Sequence, residues 1–155
     1  MTRANARELA VHLIYGSGFT DEEPEQVVAA RLEREYYARL AQENEVYAER
    51  PSRVQLAYLD GVVAGVANRV EELNQQIQSF SIGWDVSRIS RLARAIMQLA
   101  IYEINYLDDV PTGVAISEAV RLAKKYDGED TGAFVNGILG AYARSLTPVE
   151  PVSEG

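Results

Sequence analysis

The sequence predicts an all-α protein, and two observations support this fold class. Apolar residues recur at three- and four-residue spacing along almost the whole chain, whereas the alternation typical of half-buried strands is nearly absent. The chain has 155 residues, of which 47% are apolar, so it can bury the core of one domain or of two small subdomains packed together. Prolines, capping residues and glycines then divide the chain into helices.

The first half opens with a helix that has a Thr2 cap and stops at residues 16–18, Gly-Ser-Gly. The second predicted helix begins at Pro24 in an acidic segment. Apolar residues one turn apart mark it: Val28, Leu32, Tyr36 and Leu40. A longer helix is predicted from about Ser52 to Ser79. Its apolar stripe consists of Leu56, Leu59, Val63, Val66, Val70, Leu73 and Ile77.

A break in the helical pattern divides the chain into two predicted subdomains. The break spans residues 79–85 and contains the only tryptophan, Trp84. We therefore expect an N-terminal helical subdomain at residues 1–80 and a C-terminal helical subdomain at residues 81–146. Residues 147–155 lack a core pattern and are predicted to form a disordered tail.

The second half begins with a helix whose centre, AIMQLAIY, is apolar nearly all round, as expected for a helix enclosed by others. Pro111 disfavours a helical residue before it, so the next helix resumes at Thr112 or Gly113 and ends at a glycine. Asp130 or Thr131 then caps the last helix.

The composition argues for a binding module and against an enzyme. There is no cysteine, and His12 is the only histidine, which excludes thiol chemistry and cysteine-ligated metal sites and leaves His12 as a surface or satisfied side chain. No phosphate-binding loop or HExxH motif occurs, so we predict no catalytic residue, metal site or cofactor. No run approaches the roughly 20 apolar residues of a membrane helix, and no signal peptide is evident, so we expect a soluble, cytoplasmic protein.

The formal net charge of -8 argues against a general polyanion binder, although a local basic surface survives in the second half. Arg3 and Arg7 lie one turn apart at the start of the first helix, where the dipole disfavours cations unless an anion is near. This hints at phosphate binding, with a solvated N-terminus as the alternative. Arg88, Arg91 and Arg94 share one side of a helix, and salt bridges explain them as easily as RNA does.

Phe134 lies near the start of the last helix, beside Asp130, Thr131 and Asn136. An aromatic ring among hydrogen-bonding groups can stack on an unpaired base and read it. A phenylalanine in a helix is more often part of the core, so both interpretations stay open.

Five segments resemble the NusB transcription antitermination family, and their order and spacing agree with it over about residues 3 to 144. They are ARELAVHLIY at 6–15, YLDGVVAGV at 58–66, RLARAIMQLAIYEI at 91–104, DVPTGVAISEAVRLAKKY at 109–126 and FVNGIL at 134–139. The resemblance implies an all-helical fold of two small bundles, about seven helices in all, with no catalytic centre.

The resemblance also implies a function. NusB-like proteins pair with NusE, which is also a small-subunit ribosomal protein, and the heterodimer binds the boxA element of nascent RNA. That complex helps RNA polymerase read through terminators, chiefly in ribosomal RNA operons. Some family members form homodimers, so a homodimer is a further expectation.

In the family, RNA is held by a basic N-terminus and by residues near the start of the last helix. This implies RNA-binding roles for Arg3, Arg7, Thr131 and Phe134. Family members often carry more basic residues before the ARE motif than this chain does, so we expect weak RNA affinity alone and strong dependence on NusE.

The resemblance is less informative about the NusE surface and about the acidic segment at residues 20–50, which matches the family poorly. For the NusE surface we expect the neighbourhood of Tyr15 and the polar side of the helix from Arg91 to Glu103.

Two other functions are compatible with the same sequence. One is the NusB-like RNA-recognition domain found at the front of certain ribosomal RNA cytosine methyltransferases. Because 155 residues leave no room for a cofactor-binding α/β domain, this alternative holds only if the chain is a fragment. The other is a helical adaptor that binds protein and no nucleic acid.

Overall fold

The computed structural model describes residues 1–83 and 89–146, and all regular structure in those ranges is helical. This confirms the all-α prediction. The elements are α1 (Arg3–Ser17), α2 (Pro24–Arg31), α3 (Arg34–Leu40), the short 3₁₀ helix η1 (Glu45–Tyr47), α4 (Arg53–Ala67), α5 (Val70–Ser79), α6 (Arg91–Tyr106), α7 (Thr112–Asp127) and α8 (Glu129–Leu146).

Some sequence-based predictions fall outside the described residues. They concern Trp84 and Arg88, which lie in the stretch 84–88, and the tail at 147–155. The predicted division into subdomains near residue 80 stays a prediction.

Helix α1 lies at the centre of the fold, in contact with α2, α4, α6 and η1. Its start follows from Thr2, whose hydroxyl oxygen accepts a hydrogen bond from the Asn5 backbone at 3.0 Å, as the sequence predicted. Its apolar side chains, including Leu9 and Leu13, are fully buried. The packing of α1 therefore fixes the positions of the surface residues at its two ends.

The predicted helix from Ser52 to Ser79 is wrong in one respect, because the structure divides it into α4 and α5. The chain leaves helical geometry at Arg69, whose φ and ψ are -130° and 21°. Apolar spacing continues across this break, so periodicity alone could not reveal it. The bend lets Leu73 and Ile77 be buried where α5 packs on α6 and α8, while Val70 is exposed.

The acidic segment also forms more than the single helix predicted from Pro24. Helix α2 ends at Arg31, and Glu33 then caps α3, with its carboxylate accepting from the backbone of Glu35 at 3.0 Å and Tyr36 at 2.9 Å. This restart shifts the register, so Tyr37 is buried where the sequence pattern favoured Tyr36.

The second half follows its predicted boundaries closely. Pro111 precedes α7, which starts at Thr112, and Gly128 links α7 to α8 with a φ of 95°. The prediction that Asp130 or Thr131 caps α8 is wrong, because the helix already begins at Glu129. The single-residue connection brings α7 and α8 into extensive contact.

Two glycines of α4 have different surroundings. A Cβ atom at Gly65 would overlap the ring of Tyr102 on α6, whereas a Cβ atom at Gly61 would meet no atom within 4 Å. The close approach of α4 and α6 therefore requires a glycine at position 65 only.

We predict that Gly65→Ala destabilises the fold by about 1–3 kcal/mol, since the tyrosine ring must move out of a packed interface. Gly61→Ala is the matched control, and it should stabilise α4 by up to about 1 kcal/mol because alanine is the better helix former. Urea unfolding followed by circular dichroism measures both. Equal effects of the two substitutions would contradict this account of the helix crossing.

Candidate RNA and partner surfaces

Arg3 presents a cation at the surface where α1 begins. Its side chain is 53% exposed, and both terminal guanidinium nitrogens donate to Oδ2 of Asp109 at 3.2 Å. The guanidinium carbon also lies 5.9 Å from the ring centroid of Tyr58. An ion pair this exposed contributes little to stability, so Arg3 can exchange Asp109 for another anion at low cost.

Arg7 lies inside the protein, unlike Arg3 one turn earlier. It is 4% exposed, and its Nε and Nη2 donate to the two carboxylate oxygens of Glu103 at 2.9 and 3.0 Å. Burial by itself lowers the pKa of Arg7, but the hydrogen bond and the charge of Glu103 outweigh burial and raise it, so the guanidinium stays charged. Its charge is thus neutralised within the fold.

Glu103 is fully buried by the same pair. In this conformation neither Arg7 nor Glu103 is available to RNA or to a protein partner, so the sequence-based roles of these two residues are not carried into the function proposed below. The partner of Arg7 lies 96 residues away along the chain, which no local pattern reveals. The one available signal was a carboxylate inside the apolar run AIYEI.

A second buried carboxylate, Glu8 on α1, holds the end of α7. Its Oε2 accepts from Lys125 Nζ at 2.7 Å and from the Tyr126 hydroxyl, and Arg121 lies 3.8 Å from its other oxygen. Burial by itself raises the pKa of Glu8, but the hydrogen bonds from Lys125 and Tyr126 outweigh burial and lower it. Glu8 is therefore ionised at neutral pH.

The ionised state of Glu8 determines the protonation of His12. An ionised carboxylate cannot donate, so Tyr126 must give its single hydroxyl hydrogen to Glu8. His12 Nε2, 2.8 Å from the Tyr126 oxygen, must then carry a hydrogen and donate it. Burial lowers the pKa of His12 to about 4, so the ring is neutral and its bare Nδ1 accepts from the Tyr47 hydroxyl at 2.8 Å. This confirms the prediction that His12 is a satisfied side chain.

The same series of hydrogen bonds extends into the acidic segment. Arg31 of α2 donates to the Tyr47 oxygen at 2.8 Å, and Asn44 donates to the Tyr126 oxygen at 3.2 Å. Every bond from Arg31 through Tyr47, His12 and Tyr126 to the carboxylate thus points in one direction. Three elements, α2, η1 and α7, are joined to α1 by one polar network.

At the start of α8 the structure places the two remaining RNA candidates. The Thr131 hydroxyl is within 3.2 Å of the backbone oxygen of Asp127 and of its carboxylate. Phe134 is 8% exposed and packs in the core, which was the alternative to base stacking. Glu129 and Asp130 are exposed beside them. RNA binding by Thr131 and Phe134 stays a prediction.

The RNA candidates lie at opposite ends of α7. Asp109, the partner of Arg3, comes just before this helix, and Thr131 comes just after it. The 16 residues of α7 span roughly 24 Å at 1.5 Å per residue. The exposed side of its C-terminal half carries Arg121, Lys124 and Lys125. An RNA strand that touched both ends would have to run along α7.

An exposed aromatic cluster occupies the other end of α1. The Tyr15 and Phe19 rings meet edge to face with centroids 5.0 Å apart, and the guanidinium of Arg91 lies 5.0 Å from the Phe19 centroid. Phe19 is 58% exposed. The structure thus brings together two residues expected at the partner surface, Tyr15 and Arg91. Sequence reasoning missed Phe19, which joins them, because it lies beyond the glycines that end α1.

Next to this cluster is a shallow cleft of about 300 Å³ between α1, α4 and α6. Its lining combines the apolar residues Ile14, Val63 and Val66 with Gln98 and with the acidic loop after α1, which contributes Asp21 and Glu22. Within the described ranges, no group of histidine and acidic side chains is arranged to hold a metal ion. In the same ranges, no helix is both long and apolar enough to cross a membrane.

We predict that lowering the pH destabilises the fold through His12. Its pKa in the folded state, about 4, is below the ordinary value of 6.5, so its contribution is complete above pH 6.5 and is lost as the pH falls from 6.5 towards 4. The loss should be about 2 kcal/mol between pH 7 and pH 5. Urea unfolding at several pH values measures it. In His12→Gln, which cannot titrate, this part of the pH dependence should disappear, and an unchanged slope would contradict the assignment.

Comparison with known proteins agrees with this architecture. The model of the NusB family matches residues 4–144. The transcription antitermination protein NusB of Acetivibrio thermocellus is 41% identical over 140 residues, which cover 90% of this chain and 87% of that protein. NusB of T. maritima superposes with a TM-score of 0.74 at 26% identity, over 93% of this chain and 92% of that chain.

A crystal structure of the antitermination factors NusB and NusE in complex with double-stranded RNA shares the fold, with a TM-score of 0.70 at 22% identity over 92% of this chain and 96% of that chain. The family match covers nearly all of the chain, and the curated relative is named as an antitermination protein. Together they confirm the prediction of an antitermination factor that is not an enzyme, and they establish that the chain belongs to the NusB family.

Proposed function

We propose that this chain forms a heterodimer with NusE and binds boxA RNA in nascent transcripts, chiefly those of ribosomal RNA operons. The complex would join RNA polymerase during elongation, in the cytoplasm. Family membership supports the antitermination role. The observation in this structure that carries the proposal is the exposed cluster of Tyr15, Phe19 and Arg91.

This aromatic cluster has the chemistry of a protein interface. Aromatic and arginine side chains dominate the binding energy of such surfaces, and they do so most where an apolar pocket lies beside them. Phe19 is more than half exposed on a loop that the core does not require to be aromatic. The adjoining cleft supplies a pocket in which apolar residues of α1 and α4 stand beside the acidic residues Asp21 and Glu22. We assign this surface to NusE.

The RNA surface is proposed at the opposite end of α1. Arg3 would bind a phosphate, and Thr131 and Phe134 would contact the strand beyond α7, which requires the buried ring of Phe134 to become more accessible when RNA binds. Few cations of this surface lack a carboxylate neighbour, since Arg121 pairs with Glu118 at 2.8 Å and Lys125 with Glu8 at 2.7 Å. With a net charge of -8, the chain should bind RNA weakly unless NusE adds to the surface.

The test is the affinity for a short boxA RNA with and without NusE. We expect a gain of at least tenfold when NusE is added, because the two proteins would present one continuous surface. Phe19→Ala should remove most of this gain. Tyr36→Ala is the matched control, since Tyr36 is also an exposed aromatic with an arginine, Arg39, 5.7 Å from its ring.

Equal RNA affinity with and without NusE would reject this mechanism. Binding to NusE without any RNA binding would favour the helical adaptor. Light scattering of the same samples distinguishes a free homodimer from a monomer.

We further predict that Arg3→Gln weakens RNA binding by the heterodimer and lowers the salt dependence by about one phosphate contact, which corresponds to a slope change of roughly 0.7–0.9. Filter binding from 50 to 200 mM salt would measure this. Stability should change little, because the Arg3–Asp109 pair is exposed.

Arg7→Gln is the contrasting variant. It should cost roughly 3–5 kcal/mol of stability, because it leaves Glu103 buried without its partner. An unchanged salt slope in Arg3→Gln would remove Arg3 from the phosphate contacts.

A further inference from the structure

A mostly apolar cleft of about 500 Å³ opens beside Arg3, where the first turns of α1 and α4 meet the linker between α6 and α7. We call it the Val54 cleft. The apolar residues of its lining are Ala6, Val54, Ala57, Tyr58 and Leu107. Among its lining residues, only Arg3 belongs to the RNA surface proposed for the chain.

Val54 is unusual because its side chain is 80% exposed at the start of a helix. A valine there contributes nothing to the packing of α4. Ala57, one turn along, is exposed as well. An apolar surface of this kind next to a cleft indicates a ligand with a flat apolar face.

Arg3 adds a positive charge to this mostly apolar lining. Its guanidinium forms part of the lining and lies 5.9 Å from the Tyr58 ring centroid. Its partner Asp109 is 69% exposed, so a phosphate could replace the carboxylate without leaving a buried charge behind. The cleft thus places a cation at the edge of an apolar site that is large enough for a base and its sugar.

We propose that the Val54 cleft holds one unpaired base of the bound RNA, with the adjoining phosphate on Arg3. This inference rests on the proposed RNA-binding function and adds a base site at the start of α4. A base has an apolar face that suits Ala57 and Leu107, and its phosphate can replace Asp109 as the partner of Arg3. An apolar peptide would use the apolar lining but would bring no anion to Arg3.

A second cleft on the other side of Arg3 provides a control. It has a volume of about 230 Å³ and is lined by Val114 and Glu118 as well as by Arg3. Asp109 lines both clefts, but the smaller one also contains Glu118, and its size and this second carboxylate make it a poor place for a nucleotide. Val114 is exposed on the first turns of α7, just as Ala57 is on α4.

The test fills each cleft in turn. Ala57→Phe would occupy the Val54 cleft and Val114→Phe the smaller one, and both positions are exposed, so thermal unfolding should change little. The probe is a single-stranded boxA-type RNA of twelve nucleotides, together with a series of the same RNA in which one nucleotide at a time is abasic, all bound to the complex with NusE. We expect Ala57→Phe to lower RNA affinity about tenfold and Val114→Phe to leave it unchanged.

The abasic series identifies a base in the cleft. One abasic position should lower the affinity of the unsubstituted protein by about tenfold and that of Ala57→Phe hardly at all, because the two changes remove the same contact. Val54→Asn alters only an exposed side chain and should reproduce part of the loss. It serves as the second variant if Ala57→Phe disturbs the fold.

Several results would overturn the proposal. One is full RNA affinity in Ala57→Phe, and another is an equal loss of affinity for the abasic RNAs in Ala57→Phe and in the unsubstituted protein. A third is a variant that loses NusE binding but keeps RNA binding, which would make the cleft a protein site. If the unsubstituted complex with NusE binds no RNA, the proposed function fails and this inference fails with it. If that complex does bind RNA, these outcomes reject the cleft alone.

Discussion

The buried pair of Arg7 and Glu103 is the constraint on which the arrangement of surfaces depends. It joins the second turn of α1 to α6 with two short hydrogen bonds between buried side chains. Removing two charges from water is costly, and good geometry is what offsets that cost. Since a bidentate pair tolerates little rotation or sliding, α1 has one register against α6. The pair thereby fixes both ends of α1 relative to α6, and Arg3 and Tyr15 lie roughly 18 Å apart along the helix axis.

A second polar network gives the acidic segment a structural purpose. Arg31, Asn44 and Tyr47 of that segment contribute hydrogen bonds to the network around His12 and Glu8. The network ends on the last turn of α7, next to the glycine that leads into α8. The acidic segment therefore helps to position the α7–α8 junction, although it lies far from that junction in sequence.

Most of the fold could be predicted from local features of the sequence. Thr2, Pro111 and Gly128 mark helix ends through backbone chemistry that acts within a few residues, and the structure confirms each of them. The break at Arg69 could not be predicted, because apolar spacing continues across it. It depends on the packing of α5 against α6 and α8, which are distant in sequence. The site was readable only in part. The family resemblance directed attention to Tyr15, but the burial of Arg7 depends on a partner 96 residues distant, and the contact of Phe19 with Tyr15 depends on the path of a loop.

The exposed contact between Arg3 and Asp109 has a thermodynamic consequence for ligand choice. Replacing a carboxylate by a phosphate on the same guanidinium exchanges one set of charged hydrogen bonds for another of similar strength, so the heat released there should be small. The free energy gained at this end of α1 would then come mainly from ions returned to bulk solvent. Such a term is the same for any polyanion, and so discrimination among sequences must come from contacts to the bases and not from the ion pair at Arg3.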